Sequence, residues 1–323
     1  MGRLWSLFLL VAVLSLVGCA STPQSDRLLG GPASMGGLPP RQELTQVPFF
    51  PQEALQCGPA SLAMAMNYLP GAGLTPEALL NEVYTPGRAG SLQMDLIGAA
   101  RRHGALAYVI RPDLEDLLRE MAAGHPVIIL QNLAFNWYPR WHYAVVVGYD
   151  LGSGDLILRS GREARQLMPL RVFERTWARG GRWGLLVLPP TALPATAQQE
   201  PFLTAALGLE KARRWAAAAQ AYETALKRWP DSLGAALGLG NSRYADGDRP
   251  GAVQAFWDGL AKHPDSAVLH NNLAQTLLDL KKPSDALPHA QKAVELDAGN
   301  PAFRDTLAAV RTALATFHPD AGQ

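Results

Sequence analysis

The feature of this sequence that most constrains its fold is a period of 34 residues in the C-terminal third. Ala218, Ala252 and Ala286 follow one another at that spacing, and the same frame aligns Pro230 with Pro264. A fixed period of this length indicates helical hairpins that stack on their neighbours, because a single hairpin cannot bury its apolar face alone. The C-terminal third is therefore predicted to be entirely α-helical.

Further positions agree with this frame, each set being either small or large and apolar: Ala206, Gly240 and Ala274; Tyr222 and Phe256; Leu239 and Leu273. Small residues where two helices touch, an aromatic beside them and a proline after the second helix resemble the tetratricopeptide repeat. We place three repeats and a capping helix, Asn300 to Phe317, within residues 200–318. Ala290 and Ala298 depart from the aromatic and proline positions. The resemblance implies a solenoid whose groove binds a protein or peptide partner.

The N-terminus has the pattern of a bacterial export signal. Residues 1–18 contain Arg3 and then an apolar run from Leu4 to Val17, which is too short for a comfortable membrane span. The sequence Leu-Val-Gly-Cys that ends at Cys19 resembles a lipobox, which implies cleavage before Cys19 and lipid attachment to its thiol. No aspartate follows Cys19, so the resemblance implies a lipid anchor at the periplasmic face of a bacterial outer membrane. An ordinary signal peptide with an incidental cysteine is the alternative.

Composition divides the remainder of the chain. Residues 19–45 are rich in Ser, Gly and Pro and are expected to form a flexible tether, and residues 191–199 a linker. Residues 46–190 between them are expected to fold as one domain. A net charge of +1 without a long basic run argues against nucleic acid as a partner. No metal-ligand spacing, phosphate-binding loop or dinucleotide fingerprint is found, so neither metal nor cofactor is expected.

The predicted domain combines helices with buried strands. Helices are expected from about Cys57 to residue 69 and over residues 75–84, 93–103 and 113–123. Continuous apolar runs predict buried strands over residues 126–130, 143–149, 155–159 and 182–188. Because the helices come first and the strands follow, the fold class is α+β, with an all-α repeat region behind it.

Cys57 is the one cysteine left if Cys19 carries lipid. An unpaired cysteine in an exported protein indicates a reactive thiol or an intermolecular disulfide, although a small buried apolar residue is an alternative. The predicted position at a helix N-terminus favours the thiolate and is expected to lower the pKa of the thiol. Gly58 allows a close approach of the chain beside the sulfur. His142, the only histidine at the head of a predicted buried strand, is the candidate base.

Two segments carry a second resemblance. "VPFFPQEALQCGPASLAM", followed about 85 residues after its cysteine by "WHYAVVVGYD", resembles the peptidase C39-like group of papain-fold cysteine peptidases, over residues 46–188. By position, this implies that Cys57 is the nucleophile, that His142 is the general base and then acid, and that Gln52 donates to the oxyanion. For Gln52, an ordinary loop amide is the alternative.

The resemblance fails at one position. The family has an Asp or Asn after the strand that follows the histidine strand, and this chain has Ser160 and Gly161 there. A hairpin closed by residues 151–154 returns residues 160–163 beside His142, so either Ser160 or Glu163 is a candidate to orient the imidazole. A hydroxyl stabilises an imidazolium poorly. A Cys–His dyad of modest activity and an inactive enzyme therefore both stay open.

The predicted function is a lipid-anchored cysteine peptidase that hydrolyses peptide bonds through a thioester, with the repeats recruiting a protein or peptide. The missing Asp or Asn favours the alternative, a peptidase-like scaffold for protein interactions. An amidase or transferase that uses the same thioester chemistry is a third possibility. Trp137 and Trp141 flank the histidine and are candidates to line the cleft, or to belong to the core.

Overall fold

The computed structural model describes residues 21–31, 37–52, 56–88 and 90–316. The predicted signal peptide, Cys19 and Phe317, the last residue of the predicted capping helix, lie outside these residues. The described chain divides into two compact units, the first comprising most residues up to Leu188 and the second the helices that follow. Among the described residues, no helix is both long enough and apolar enough to cross a membrane.

The first unit is built on one seven-stranded sheet. Its strands are β1 (Arg41–Glu43), β2 (Leu106–Val109), β3 (Val127–Asn132), β4 (Trp141–Asp150), β5 (Asp155–Ser160), β6 (Glu163–Pro169) and β7 (Gly184–Leu188). The order is β2-β7-β3-β4-β5-β6, and β1 pairs with β4. β3, β4, β5 and β6 form an antiparallel meander, with Gln131 opposite His142. The expectation of an α+β domain is confirmed.

Among the described residues of this part, six α-helices accompany the sheet: α1 (Pro23–Leu28), α2 (Cys57–Asn67), α3 (Pro76–Val83), α4 (Gln93–Arg102), α5 (Leu114–Ala122) and α6 (Leu170–Arg179). Helix α2 is the central helix, because every residue from Gly58 to Met66 is buried. It begins at Cys57, as predicted. The predicted strands and the other predicted helices of this domain are also observed, with ends shifted by a few residues.

The prediction of a flexible tether over residues 19–45 is wrong for much of that segment. Helix α1 is anchored by the backbone N–H groups of Gln24 and Ser25, which donate to the carboxylate of Glu174 at 3.1 and 2.7 Å. Leu28 is fully buried. β1 extends the sheet through its pairing with residues 148–150 of β4. Both elements are too short to show a period in the sequence, and their stability comes from contacts with residues far along the chain.

Strands β2 and β6 and helix α6 were not predicted. β6 lies at a sheet edge, mixes polar and apolar residues and is largely exposed, so it lacks the continuous apolar run of a buried strand. Helix α6 has buried Phe173 and Trp177 four residues apart, a helical spacing that many charged neighbours obscure.

The second unit consists of paired helices, as the 34-residue period predicts. They are α7 (Gln199–Lys211), α8 (Trp215–Arg228), α9 (Leu233–Asp246), α10 (Arg249–Lys262), α11 (Ala267–Asp279), α12 (Pro283–Leu296) and α13 (Pro301–Thr316). The aligned small residues Ala218, Ala252 and Ala286 are fully buried. Val310 of α13 is in the core and Leu307 and Leu314 pack against it, so the described part of the predicted capping helix is confirmed.

Candidate active site

A cleft of about 1140 Å³ in the first unit contains the three residues implicated by sequence: Cys57, His142 and Gln52. Its walls come from separate elements, namely the start of α2, the start of β4, the β5–β6 turn and the end of α6, together with residues 90–93. The structure therefore brings together residues that are up to 90 positions apart in the sequence.

Cys57 is the first residue of α2 and is partly buried. Nearby backbone N–H groups favour its thiolate form, including that of Tyr143, the residue directly after His142. The thiol thus lies against the start of the histidine strand. Burial raises the pKa of the Cys57 thiol above its ordinary value, although the N–H groups of Tyr143, Gly58 and Cys57 oppose the shift. The expectation of a lowered pKa is therefore wrong, because desolvation outweighs the helix N-terminus.

Gly58 is required by the close packing beside the thiol. A Cβ atom at this position would lie 2.3 Å from Ser91 Oγ and 2.5 Å from Ser91 Cβ. The glycine therefore lets the segment around Ser91 form one wall of the cleft next to the start of α2. Tyr143 holds the same wall from the strand, because its hydroxyl donates to the carbonyl of Ser91 at 3.2 Å.

His142 is oriented by Ser160. The His142 Nε2 atom lies 3.0 Å from Ser160 Oγ, and Ser160 is almost fully buried. This contact leaves Nδ1 as the ring nitrogen that can serve the thiol. Of the two candidates from sequence, Ser160 is thus the one that contacts the imidazole, whereas the side chain of Glu163 is exposed. The β4–β5 hairpin accounts for this geometry, since it places the end of β5 beside the start of β4.

Two effects keep His142 neutral near pH 7. Burial lowers the pKa of the imidazole from 6.5 to about 4, and the positive charge of Arg140 adds to the shift. A carboxylate at position 160 would oppose both effects, but a hydroxyl carries no charge. With the pKa of Cys57 raised and that of His142 lowered, the resting pair is a neutral thiol and a neutral imidazole rather than an ion pair.

The amide of Gln52 is held in one orientation. Its Oε1 atom accepts the N–H of Gly161 at 2.9 Å, which directs Nε2 toward Ser61 Oγ and the carbonyl of Tyr143, each at 3.2 Å. The backbone N–H of Gln52 donates to the carbonyl of Gly161 at 2.8 Å. The amide lines the cleft near the thiol, and Nε2 reaches an oxyanion only by exchanging one of these two long hydrogen bonds.

The two tryptophans beside the histidine are not core residues. Trp137 and Trp141 are 82% and 56% exposed. Trp141 lines the cleft, whereas Trp137 lies in the β3–β4 hairpin loop, where its ring stacks on that of Phe135 with centroids 5.6 Å apart. Of the two candidates, only Trp141 is among the residues that form the cleft wall.

Residues 44–182 match the family model of the Peptidase_C39 like family. Residues 203–257 and 237–301 match the model of the tetratricopeptide repeat. No curated protein matches the chain.

Solved structures resemble each part of the chain. A structure from Bacillus anthracis, named as a C39-like peptidase, is 21% identical and covers 46% of this chain and 97% of its own, with a TM-score of 0.40. The first tetratricopeptide repeat domain of Spaghetti (RPAP3), solved with an HSP90 peptide, is 14% identical and covers 36% of this chain and 94% of its own, with a TM-score of 0.35. The Yersinia enterocolitica secretion chaperone SycD, solved with a YopD peptide, is 21% identical and covers 36% of this chain and 88% of its own, with a TM-score of 0.33.

The range 44–182 includes Cys57 and His142, and the range 203–301 includes residues of the 34-residue period. The chain thus joins a domain of the Peptidase_C39 like family to tetratricopeptide repeats.

Proposed function

We propose that this protein is a cysteine peptidase that cleaves peptide bonds with Cys57 as nucleophile and His142 as base. The observation that carries the proposal is that one cleft contains both halves of the motif, Cys57 at the start of the central helix and His142 at the start of β4. The backbone N–H of the residue after the histidine favours the thiolate, and Ser160 contacts the imidazole through Nε2. A buried cysteine with a purely structural role needs neither arrangement.

The reaction starts from the neutral pair. As Sγ attacks the substrate carbonyl carbon, its proton moves to Nδ1 of His142, and the C–S bond forms as the carbonyl oxygen becomes an oxyanion. We assign as donors to that oxygen the backbone N–H groups at the start of α2 and the amide of Gln52, which exchanges one of its two hydrogen bonds for it. Collapse of the intermediate breaks the C–N bond, and the imidazolium protonates the departing amine. Water then gives a proton to His142, attacks the thioester and releases the thiol.

Ser160 acts as a positioning residue in this scheme. Its hydroxyl accepts a hydrogen bond from Nε2–H while Nδ1 holds the transferred proton. Because it carries no charge, it stabilises the imidazolium less than a carboxylate would, so we expect a slow enzyme.

The test uses the purified full chain and an unstructured protein substrate, with products read by mass spectrometry. Cys57→Ala and His142→Ala should each lower cleavage by about a thousandfold or more, since both remove a reacting group. His263→Ala, which changes a half-buried histidine of the repeat region, is the matched control and should keep full activity. Acid quenching should trap an acyl group on Cys57. Cleavage that persists in Cys57→Ala would refute the proposal.

A non-catalytic scaffold is the second candidate, and it is favoured by Ser160, which stands where the resemblance implies an Asp or Asn. In that case the wild-type protein cleaves nothing, and acid quenching traps no acyl group on Cys57. Peptide binding by the repeats would then be the remaining activity.

The repeats are proposed to recruit a protein or peptide. Asn272 Nδ2 donates to Asn241 Oδ1 at 3.0 Å, which joins the first helices of successive hairpins through polar side chains able to bind a peptide backbone. Asn241→Arg should abolish binding of peptides selected from a library, whereas Gln254→Arg, on a second helix, should not. Equal binding by both variants would exclude this surface.

Attachment to the periplasmic face of the outer membrane through Cys19 is also proposed, on the lipobox-like sequence alone. Cells fed labelled palmitate should label the wild-type protein and not Cys19→Ala. Label retained in the variant would refute the anchor.

A further inference from the structure

The cleft is strongly biased in charge. Three arginines line it, Arg140, Arg162 and Arg179, and no carboxylate does so among the described residues. Glu53, which follows Gln52 in the sequence, lies outside those residues. The arginines come from three separate elements: the β3–β4 loop, the β5–β6 turn and the last turn of α6. Their common feature is that they line the same cleft as the thiol and the imidazole.

These arginines differ from others in the same unit. Arg111, Arg165 and Arg171 each pair with a carboxylate, at 2.5, 2.9 and 2.7 Å. Within the described part of the chain, neither Arg140 nor Arg162 has such a partner, and both are exposed. Arg179 donates one hydrogen bond, from Nε to the carbonyl of Asn132 at 3.2 Å. A guanidinium has five N–H donors, so most of the donors around the cleft are available to a ligand.

We propose that this cleft selects peptides that carry a carboxylate close to the bond to be cleaved, with Arg140, Arg162 and Arg179 as the recognition residues. The selection of acidic substrates rests on the proposed peptidase function. The binding of an anion beside Cys57 does not depend on that function. Guanidinium and carboxylate form two parallel charge-assisted hydrogen bonds, which fix orientation as well as affinity. The carboxylate comes either from an acidic side chain or from a free C-terminus.

Arg140 links recognition to chemistry. Its positive charge disfavours the protonated form of His142, and the imidazole must become protonated when the thiol attacks. A substrate carboxylate bound to Arg140 neutralises that charge at the moment when the imidazolium forms. An acidic substrate is therefore expected to react faster as well as to bind more tightly.

The first experiment compares two alkylating probes of nearly equal size, iodoacetate and iodoacetamide, on the full chain. The ratio of their rates at Cys57, divided by the same ratio for N-acetylcysteine, measures the preference of the cleft for an anion. We expect the normalised rate of iodoacetate over iodoacetamide to be about ten in the wild-type protein and smaller at high salt. This ratio should decrease by about three- to fivefold in each of Arg140→Gln, Arg162→Gln and Arg179→Gln. Arg171→Gln, on the same helix as Arg179 but paired outside the cleft, is the matched control and should leave the ratio unchanged.

The second experiment measures peptide binding to Cys57→Ala by calorimetry. One peptide pair has Glu or Gln at the same position with blocked ends; another has a free or an amidated C-terminus and no acidic side chain. The inference is supported if the peptide with the carboxylate binds more tightly than its neutral partner in either pair, and if this difference disappears in Arg140→Gln. The pair that shows the difference identifies the source of the carboxylate. Equal binding of all four peptides overturns it.

The outcomes separate this inference from the proposed function. Hydrolysis of acidic and neutral peptides with equal kcat/KM would overturn the inference and leave the peptidase intact. A clear anion preference in a protein that cleaves nothing would support anion binding in the cleft and overturn the proposed peptidase function. An anion preference that appears only in Glu53→Gln would mean that the chain neutralises its own arginines, and would also overturn the inference.

Discussion

Replacing Ser160 with aspartate is the most direct test of how this site works. The hydroxyl lies 3.0 Å from His142 Nε2, so a carboxylate at this position faces the same ring nitrogen. An opposite charge at this range raises the pKa of a histidine by about 1–3 units, and burial of the new carboxylate opposes part of that gain. Taking about 2 units, the pKa of His142 rises from about 4 to about 6.

This shift changes the populations at mildly acidic pH. At pH 6, about 1% of the imidazole is protonated when its pKa is about 4, and about half when it is about 6. Protonation stabilises the thiolate of Cys57, so alkylation by iodoacetamide at pH 6 should become at least about tenfold faster in Ser160→Asp. In the wild-type protein, the rate should instead keep rising with pH into the alkaline range, since the pKa of the thiol is raised.

The assay is the alkylation rate at Cys57 between pH 4 and pH 10, with circular dichroism as a check that each variant is folded. Ser160→Asn keeps a hydrogen-bonding side chain without a charge and should change the rate by less than about threefold. A folded Ser160→Asp protein with the wild-type pH profile would refute the electrostatic reasoning. So would an Asn variant that accelerates the reaction as much as the Asp variant does.

Three further predictions concern stability. The pKa of His142 is lower in the folded protein than in the unfolded chain, so the unfolded chain binds a proton more easily. As pH falls from 6.5 to about 4, the unfolding free energy measured by urea denaturation should therefore decrease by up to about 3 kcal/mol. His142→Gln should not show this loss. Gly58→Ala should destabilise the first unit by about 1–3 kcal/mol because its Cβ overlaps Ser91, and the added change Ser91→Gly should recover most of the loss; no recovery would show that the overlap is not the cause. Gly240→Ala places a Cβ 2.2 Å from the ring of Phe256, so it should lower the thermal midpoint of the repeats, and an unchanged midpoint would contradict that packing.

Much of the fold was accessible from local patterns. The 34-residue period predicted the helical hairpins because every repeat must bury the same face against its neighbour. The continuous apolar runs predicted the buried strands, and Pro59 lies in the first turn of the central helix, where proline is tolerated. Elements whose stability is not local were missed: α1 and β1 hold their places through Glu174 and β4, and β6 is an exposed edge strand.

The site divides in the same way. Sequence by itself determined which residues are chemically able to act, since Cys57, His142 and Gln52 are recognisable from residue type and position in their motifs. Only the tertiary structure decided which group orients the imidazole, that Gln52 is already hydrogen-bonded, and that three distant arginines share one cleft. It also reversed the expected pKa of the thiol. The physical reason is that a helix N-terminus is a local feature, whereas desolvation depends on every segment packed around the sulfur, and no local pattern in the chain encodes that.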